Sequence, residues 1–508
     1  MKAIKAGLFF ILIYLFSFTG CSNYYHDLYL NVNSKILSDS TISFFSFHPE
    51  ENPELNTEIE ARINNKPSEI ILIAPVGSNI TANKLKSRFA SEGLVYVEGN
   101  IQTSGSNEHL YNDPDDPVTY EVVSANGKNR KKYTVKVLEH SPRMYVNPSA
   151  SGSGDGSTWI NAFNSLQEAI DTAEFFPESK AKEIWIAAGT YKPGITNNAE
   201  DYFILSANTS YIGGFAGNET DKNQRNISQN KTIISGNLGG GQYSRNLFGS
   251  FDDNTACVIT KDISFDGIEF VSAKASSAGI RKFGAGINVF LDSEAALKIT
   301  NCSFDDLEGG AVFVLNGSAV FSDTVFSSIT AAENFGAVYI YGENAEITGT
   351  VFKDINGSAL SINASAVVIE KTQFKNITGM GASSQALYIN STSTSDSVTI
   401  KNISIDGVKN GRGMYITSYN SLLITDSEVN NCNITGHGGG LYFNNFGQAE
   451  ISSTNFTNTK AVTGGGIFYI GAENNTSLLL IDIKIDYASI NSIPHPQIHL
   501  EGENITVR

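Results

Sequence analysis

Between residues 265 and 488 the apolar positions recur in a fixed triplet: one apolar residue, four others, a second apolar residue, two others, and a third. Phe265, Phe270 and Ala273 open the series, followed by Ile299, Phe304 and Leu307, then Phe321, Phe326 and Ile329. Ile347, Phe352 and Ile355 come next, then Ile369, Phe374 and Ile377, then Ile400, Ile405 and Val408. Ile424, Val429 and Cys432, then Ile451, Phe456 and Thr459, and finally Leu480, Ile485 and Ala488 complete it. The repeat, roughly 27 residues, has the size of one three-strand coil of a solenoid. Side chains alternate faces along a strand, so a separation of five has the wrong parity for one straight strand. The chain must therefore turn between the first two apolar positions.

Two residues before the second apolar position stand Cys302, Thr324, Thr350, Thr372, Ser427 and Thr454. Their parity points inward, which predicts one internal row of small residues, with Cys302 and Cys432 as core residues and not nucleophiles. Each unit is preceded by a glycine-rich turn and a further strand, as in Gly309-Gly310-Ala311-Val312-Phe313 and Gly438-Gly439-Gly440-Leu441-Tyr442. In those strands Val312 and Val314, Val338 and Ile340, Met414 and Ile416 are expected to face inward. Phe313, Tyr339, Ser361, Tyr388, Tyr415, Tyr442 and Phe468 then face out, on rungs about 4.8 Å apart. Such a row is either a binding face, since extended exposed aromatics are unusual on a protein with no partner, or tyrosine that favours strands and stacks on its own neighbours.

Upstream, short strands are expected at Ile42 to Phe47, Glu69 to Ala74, Leu94 to Glu98, Thr119 to Ser124 and Tyr133 to Leu138, the last two joined by the hairpin signal Asn126-Gly127. Turn-bounded strands at these intervals predict a β-sandwich over 41–140, and this segment, with Ala74-Pro75-Val76-Gly77-Ser78, resembles the immunoglobulin-like modules of bacterial surface lipoproteins. A spacer role follows from that resemblance. Beyond Met144 the pattern changes. Ser165-Leu166-Gln167-Glu168 is a capping box before a helix with Leu166, Ala169, Ile170 and Ala173 on one face, and Glu183 to Tyr191 reads as a buried strand. These stretches, with Gly213-Gly214-Phe215-Ala216-Gly217, resemble the N-terminal cap and first turns of right-handed parallel β-helix proteins of the pectate-lyase-like superfamily. The fold class expected is thus all-β: a right-handed parallel β-helix over 144–508, preceded by an immunoglobulin-like sandwich.

The glycine turns, with Phe374-Lys375-Asn376 and Phe456-Thr457-Asn458, resemble the GGA and FxxN motifs of chlamydial polymorphic outer membrane proteins, a resemblance that implies adhesion. Those proteins end in a translocating barrel, for which no segment is found here. Attachment is instead expected at the other end. Lys2 and Lys5 precede an apolar run, Gly7 to Phe18, too short to span a bilayer, and Phe18-Thr19-Gly20-Cys21 resembles a bacterial lipobox. Residues 1–20 then form a lipoprotein signal peptide, Cys21 carries the lipid, and 21–40 is a tether. Export to the outer membrane or cell surface follows from that resemblance.

Composition narrows the partners. The chain of 508 residues carries 35 Lys+Arg against 52 Asp+Glu, a net charge of −17, and lacks a basic cluster, which disfavours nucleic acid. Cys257, Cys302 and Cys432 are odd in number and widely spaced, so neither a disulfide framework nor a zinc motif is indicated, and no cofactor is expected. Asp113, Asp115 and Asp116 read as a solvated turn without the order of a calcium loop. The competing class is a polysaccharide lyase or hydrolase, which needs paired carboxylates or a calcium cluster with a base. Asp305-Asp306 and Gly436-His437-Gly438 are similar to the Asp pair and GHG of polygalacturonase-like hydrolases. Yet they lie about five coils apart and the Arg-x-Lys motif is missing, so they read as turn residues. The sequence favours a lipid-anchored adhesin for host or matrix glycan or protein, through Phe313, Tyr339, Tyr388, Tyr415, Tyr442 and Phe468.

Overall fold

The computed structural model describes residues 38–508 apart from 66–67, 76–79, 81–82, 112–115, 195–197, 253–254, 276–278, 332–334, 381–383, 391–395, 418, 445–446, 471–476, 487–497 and 502–504. The signal peptide, Cys21, nearly all of the tether, Asp113, Asp115 and Ala488 lie outside the described residues. The chain divides into two compact units, one of residues 1–141 with 175–177 and one of residues 142–174 with 178–508.

The first unit holds nine strands: β1 (Ile42–Phe47), β2 (Ile59–Asn65), β3 (Ser68–Ala74), β4 (Lys84–Ser91), β5 (Leu94–Val97), β6 (Asn100–Ile101), β7 (Glu108–Leu110), β8 (Thr119–Val123) and β9 (Arg130–Glu139). They run in one continuous order, β6-β5-β8-β9-β3-β2-β1-β4-β7, antiparallel throughout except for the parallel pair β3 and β9. The five expected strands are present. The four that the pattern missed, β2, β4, β6 and β7, are short or interleaved with charge, as in Lys84-Leu85-Lys86-Ser87-Arg88. Gly127, at φ 69°, makes the predicted hairpin turn, its N–H donating to Ser124 O at 2.8 Å. One apolar core joins the strands through Phe45, Phe47, Leu72, Leu85, Val95 and Val135. Burial of Tyr111 and Tyr120 is tolerated because their hydroxyls bond each other at 2.8 Å and Tyr120 also meets Ser87 Oγ at 2.8 Å.

The second unit is a right-handed parallel β-helix. After a first strand, Arg143–Val146, comes helix α1 (Leu166–Ala173), which starts where the Ser165 hydroxyl accepts the Glu168 N–H at 3.3 Å and which buries Leu166, Ala169, Ile170 and Ala173. The expected single strand Glu183 to Tyr191 is two strands, Lys182–Ala187 and Gly189–Tyr191, in different ladders, because Gly189 lies at the corner between them. The solenoid thus begins before the legible repeat: Tyr211 is already the rung partner of Phe265, and Ile234 that of Phe270.

From there the apolar triplets stack as the spacing predicts. Phe265, Ile299, Phe321, Ile347, Ile369, Ile400, Ile424, Ile451 and Leu480 pair rung to rung in one ladder. Phe270, Phe304, Phe326, Phe352, Phe374, Ile405, Val429, Phe456 and Ile485 pair in the next. The rings from Phe270 to Phe374 form a parallel pile with centroids 4.5 to 5.0 Å apart.

Two left-handed residues per coil solve the parity problem. Asn301, Asp323, Gly349, Lys371, Asn402 and Asp426, at φ 48° to 62°, turn the chain between the first and second apolar positions. Asp306, Ser328, Asp354, Asn376, Gly407 and Asn431 reverse it again between the second and third, so a spacing of three also leaves both side chains inside. Glycine, Asn and Asp occupy most of these places because they reach αL at least cost.

Candidate functional site

The internal row of small residues is buried and satisfied. Thr324, Thr350, Thr372, Ser427 and Thr454 each donate to the carbonyl two residues earlier, at 2.8 to 3.2 Å. The Cys302 thiol does the same toward Thr300 O at 3.2 Å, and burial pushes it up to about 12. Cys432 is likewise raised by burial. Neither thiol has the exposed, electropositive surroundings that a reactive cysteine needs.

Asp305 and Asp306 are turn residues. Asp306 is the second left-handed residue of its coil and accepts from Ser272 Oγ at 2.8 Å, while Asp305 accepts from Ser327 Oγ at 2.6 Å. His437 precedes the strand Leu441–Asn444, bonds Thr463 Oγ1 through Nδ1 at 2.7 Å, and stacks on Phe468 at 4.9 Å. Five rungs separate the two places, roughly 24 Å. No acid–base pair is assembled from them.

The glycine-led strands put the residues between their inward-facing positions on the outer face, but that row is not the continuous exposed ladder expected from sequence. Phe313 and Phe468 are each only 7% exposed, and Ser361, itself buried, interrupts the row between Tyr339 and Tyr388. Two blocks result. In the first, Phe313 and Tyr339 are covered by Phe290, from the strand Ile287–Leu291, and by Phe283 and Phe335, from corner loops whose contribution the periodicity of the strands could not reveal. Asn363 Nδ2 also caps the Tyr339 hydroxyl at 3.4 Å.

The second block is Tyr388, Tyr415, Tyr442, Phe468 and His499, with centroids 4.6 to 5.5 Å apart and planes within 10°. Neighbouring rings cover one another's faces, so solvent meets ring edges and hydroxyls. Tyr388, Tyr415 and Tyr442 are half-buried, and their hydroxyls make no hydrogen bond among the described residues. Burial raises the phenols of Tyr388 and Tyr415, keeping them protonated donors.

Arg412, which the periodicity did not single out, lies against this block. Its Nε donates to His437 O at 2.7 Å, and its guanidinium carbon is 5.3 Å from the Tyr415 centroid and 5.4 Å from the Tyr442 centroid. Both distances are within cation–π range of the two parallel rings, whose centroids are 4.7 Å apart. Burial lowers its pKa, and it has no carboxylate partner among the described residues.

Two other features bear on chemistry. A groove of about 550 Å³ at the corner between the glycine-led strands and the next ladder is lined by Leu291, Asp292, Asn316, Tyr341, Glu343 and Asn363. In the first unit His48, Glu50 and Glu51 come together as potential metal ligands, but Arg88 bonds both glutamates, through Nε to Glu51 at 2.9 Å and through Nη2 to Glu50. Among the described residues no helix is long and apolar enough to cross a membrane.

The family of right handed beta helix regions matches residues 285–431. No curated protein matches the chain in sequence. Among solved structures, the mannuronan C-5 epimerase AlgE4 A-module of Azotobacter vinelandii is similar at 14% identity, over 72% of this chain and 100% of that one, with a TM-score of 0.34. A family 28 exopolygalacturonase of Yersinia enterocolitica is similar at 10% identity, over 80% of this chain and 97% of that one, with a TM-score of 0.25. The family match coincides with the central coils, and the fold of the second unit is a right-handed parallel β-helix.

Proposed function

We propose that the protein is an exported, lipid-anchored surface adhesin that binds host or matrix glycan without cleaving it. Its contact surface is the outer face of the glycine-led ladder from Tyr388 to His499. The observation that supports this is the row of three phenol hydroxyls, each without a partner among the described residues and set at the rung spacing. Donors repeated at that interval match a linear polymer lying along the solenoid axis better than a small molecule. In this reading Cys21 holds the lipid and the first unit, an immunoglobulin-like module, is the spacer.

A glycan and matrix-protein array is the direct test. Wild type should bind, and the triple variant Tyr388→Ser, Tyr415→Ser, Tyr442→Ser should lose binding while its circular dichroism is unchanged. Equal binding by both would remove this surface from the reading. A second reading, a polysaccharide hydrolase, draws on Asp292 and Glu343 in the 550 Å³ groove, two rungs apart or roughly 10 Å. Release of reducing ends that is abolished by Asp292→Asn or Glu343→Gln would replace the adhesin with an enzyme.

A further inference from the structure

The corner loops beside the tyrosine pile carry charge of one sign. Three successive coils enter the glycine-led ladder through residues 409–413, 433–440 and 460–466, and these segments contain Lys409, Arg412, His437 and Lys460 but no Asp or Glu. They stack on one another: Lys409 is the rung partner of Asn433, Asn433 bridges Lys460, and His437 bridges Thr463. This is a local reversal in a chain of net charge −17.

Six of the nine arginines are neutralised by an ion pair. Arg88, Arg130, Arg143, Arg225, Arg245 and Arg281 all pair with carboxylates. Arg412, Lys409 and Lys460 have no ion pair among the described residues. Arg412 is also partly buried, so its charge lacks full hydration, and the Tyr415 and Tyr442 rings beside it supply no anionic partner in exchange. With Nε held by His437 O, the fork of the guanidinium is fixed while its Nη groups remain available for a two-pronged bond to a planar or tetrahedral anion.

We propose that this corner is an anion site, and that the polymer bound along the tyrosine row is an acidic glycan whose carboxylate or sulfate groups sit on Arg412, flanked by Lys409 and Lys460. The inference rests on the glycan reading above and adds the ligand class. The phenol row supplies donors to sugar hydroxyls, and the basic corner supplies the charge selection. The attraction at this basic corner is screened by salt, so binding should weaken as ionic strength rises.

The test is binding of the full chain, by affinity electrophoresis and calorimetry, to polygalacturonate, its carboxyl-reduced form, dextran sulfate, dextran and poly-L-glutamate. At low salt the acidic glycans should bind at least about tenfold more tightly than their neutral counterparts, and Arg412→Gln should erase that preference while leaving the melting temperature unchanged. Polygalacturonate without dextran sulfate assigns the anion as carboxylate, and the reverse assigns it as sulfate. Equal affinity for neutral and acidic glycans, or a preference that survives in Arg412→Gln with Lys409→Gln and Lys460→Gln, overturns the acidic-glycan inference and leaves the glycan reading standing. Capture of poly-L-glutamate as strong as that of polygalacturonate overturns the saccharide assignment, and no binding to any glycan overturns both.

Discussion

Each coil depends on single residues held in a left-handed conformation, and one of them is poorly suited to it. Lys371, at φ 50°, takes the place that Asn, Asp or Gly fills in most coils, with its side chain exposed and its N–H donating to Lys401 O at 3.1 Å. Lys371→Gly keeps that hydrogen bond and relieves the strain, so it should raise stability by up to about 1 kcal/mol in a urea titration, after the entropy lost by glycine is subtracted. A lower midpoint would mean that Lys371 contributes something beyond its backbone. The opposite case is Phe352, fully buried between Phe326 and Phe374 at 4.8 and 5.0 Å. Phe352→Ala should cost about 3–5 kcal/mol in the same titration, and a loss under about 1 kcal/mol would show that neighbouring rings collapse into the gap. Both kinds of position were visible in the spacing alone, because a spacing of five obliges a turn. Which residue lies in αL was not, since Lys371 carries no signature of it.

The three ladders were readable as elements because every coil repeats the same buried pattern on the same register. What the pattern could not reveal is burial contributed by corner loops, which have no period. Phe313 and Phe468 share a strand position with half-buried Tyr415, yet loops and neighbours cover them, and Ser361 breaks the row. The same limit hid Arg412, although the acid-free run Lys409-Asn410-Gly411-Arg412 could have flagged it. Because neighbouring coils interact as near-identical units, removal of one whole coil should be tolerated. Deletion of residues 351–372 joins Thr350 to Gln373, the rung partner of Val351, and removes Ser361 with its coil. The shortened chain should remain folded by circular dichroism, with Tyr388 brought onto Tyr339 to make the aromatic row continuous. Deleting only 351–361 breaks the register and should give an unfolded or aggregated chain. Equal stability of the two deletions would show that rung register does not govern the fold.

At the scale of the whole molecule, the buried acids of both units set the pH at which it fails. Burial raises Tyr111 and Tyr120 in the first unit, and Tyr191, Tyr211, Tyr419, Cys302 and Cys432 in the solenoid. These groups are neutral when protonated, so the native state keeps protons that the unfolded chain releases above pH 9.0 for cysteine and 10.0 for tyrosine. With fewer protons bound in the unfolded state, stability falls as pH rises, beginning at the unfolded values and continuing through the raised native ones. Growing net negative charge on a chain already at −17 acts in the same direction. Acid loss is expected to be slighter. Glu219 is held below its usual range because, although burial acts to raise it, its carboxylate accepts the N–H groups of Ala216, Gly217 and Asn218 at 2.6 to 3.0 Å, a contribution lost only as pH falls through that range. The melting temperature should therefore be nearly level from about pH 6 to pH 8 and drop steeply between about pH 9 and pH 11. Cys302→Thr isolates one term, since threonine fills the same internal row at residues 324, 350 and 372 with the same donor bond. The variant should match wild type within about 1 kcal/mol at neutral pH and lose less stability between pH 9 and its midpoint of alkaline unfolding. If the two alkaline profiles coincide, the buried thiol is not among the groups that drive the transition.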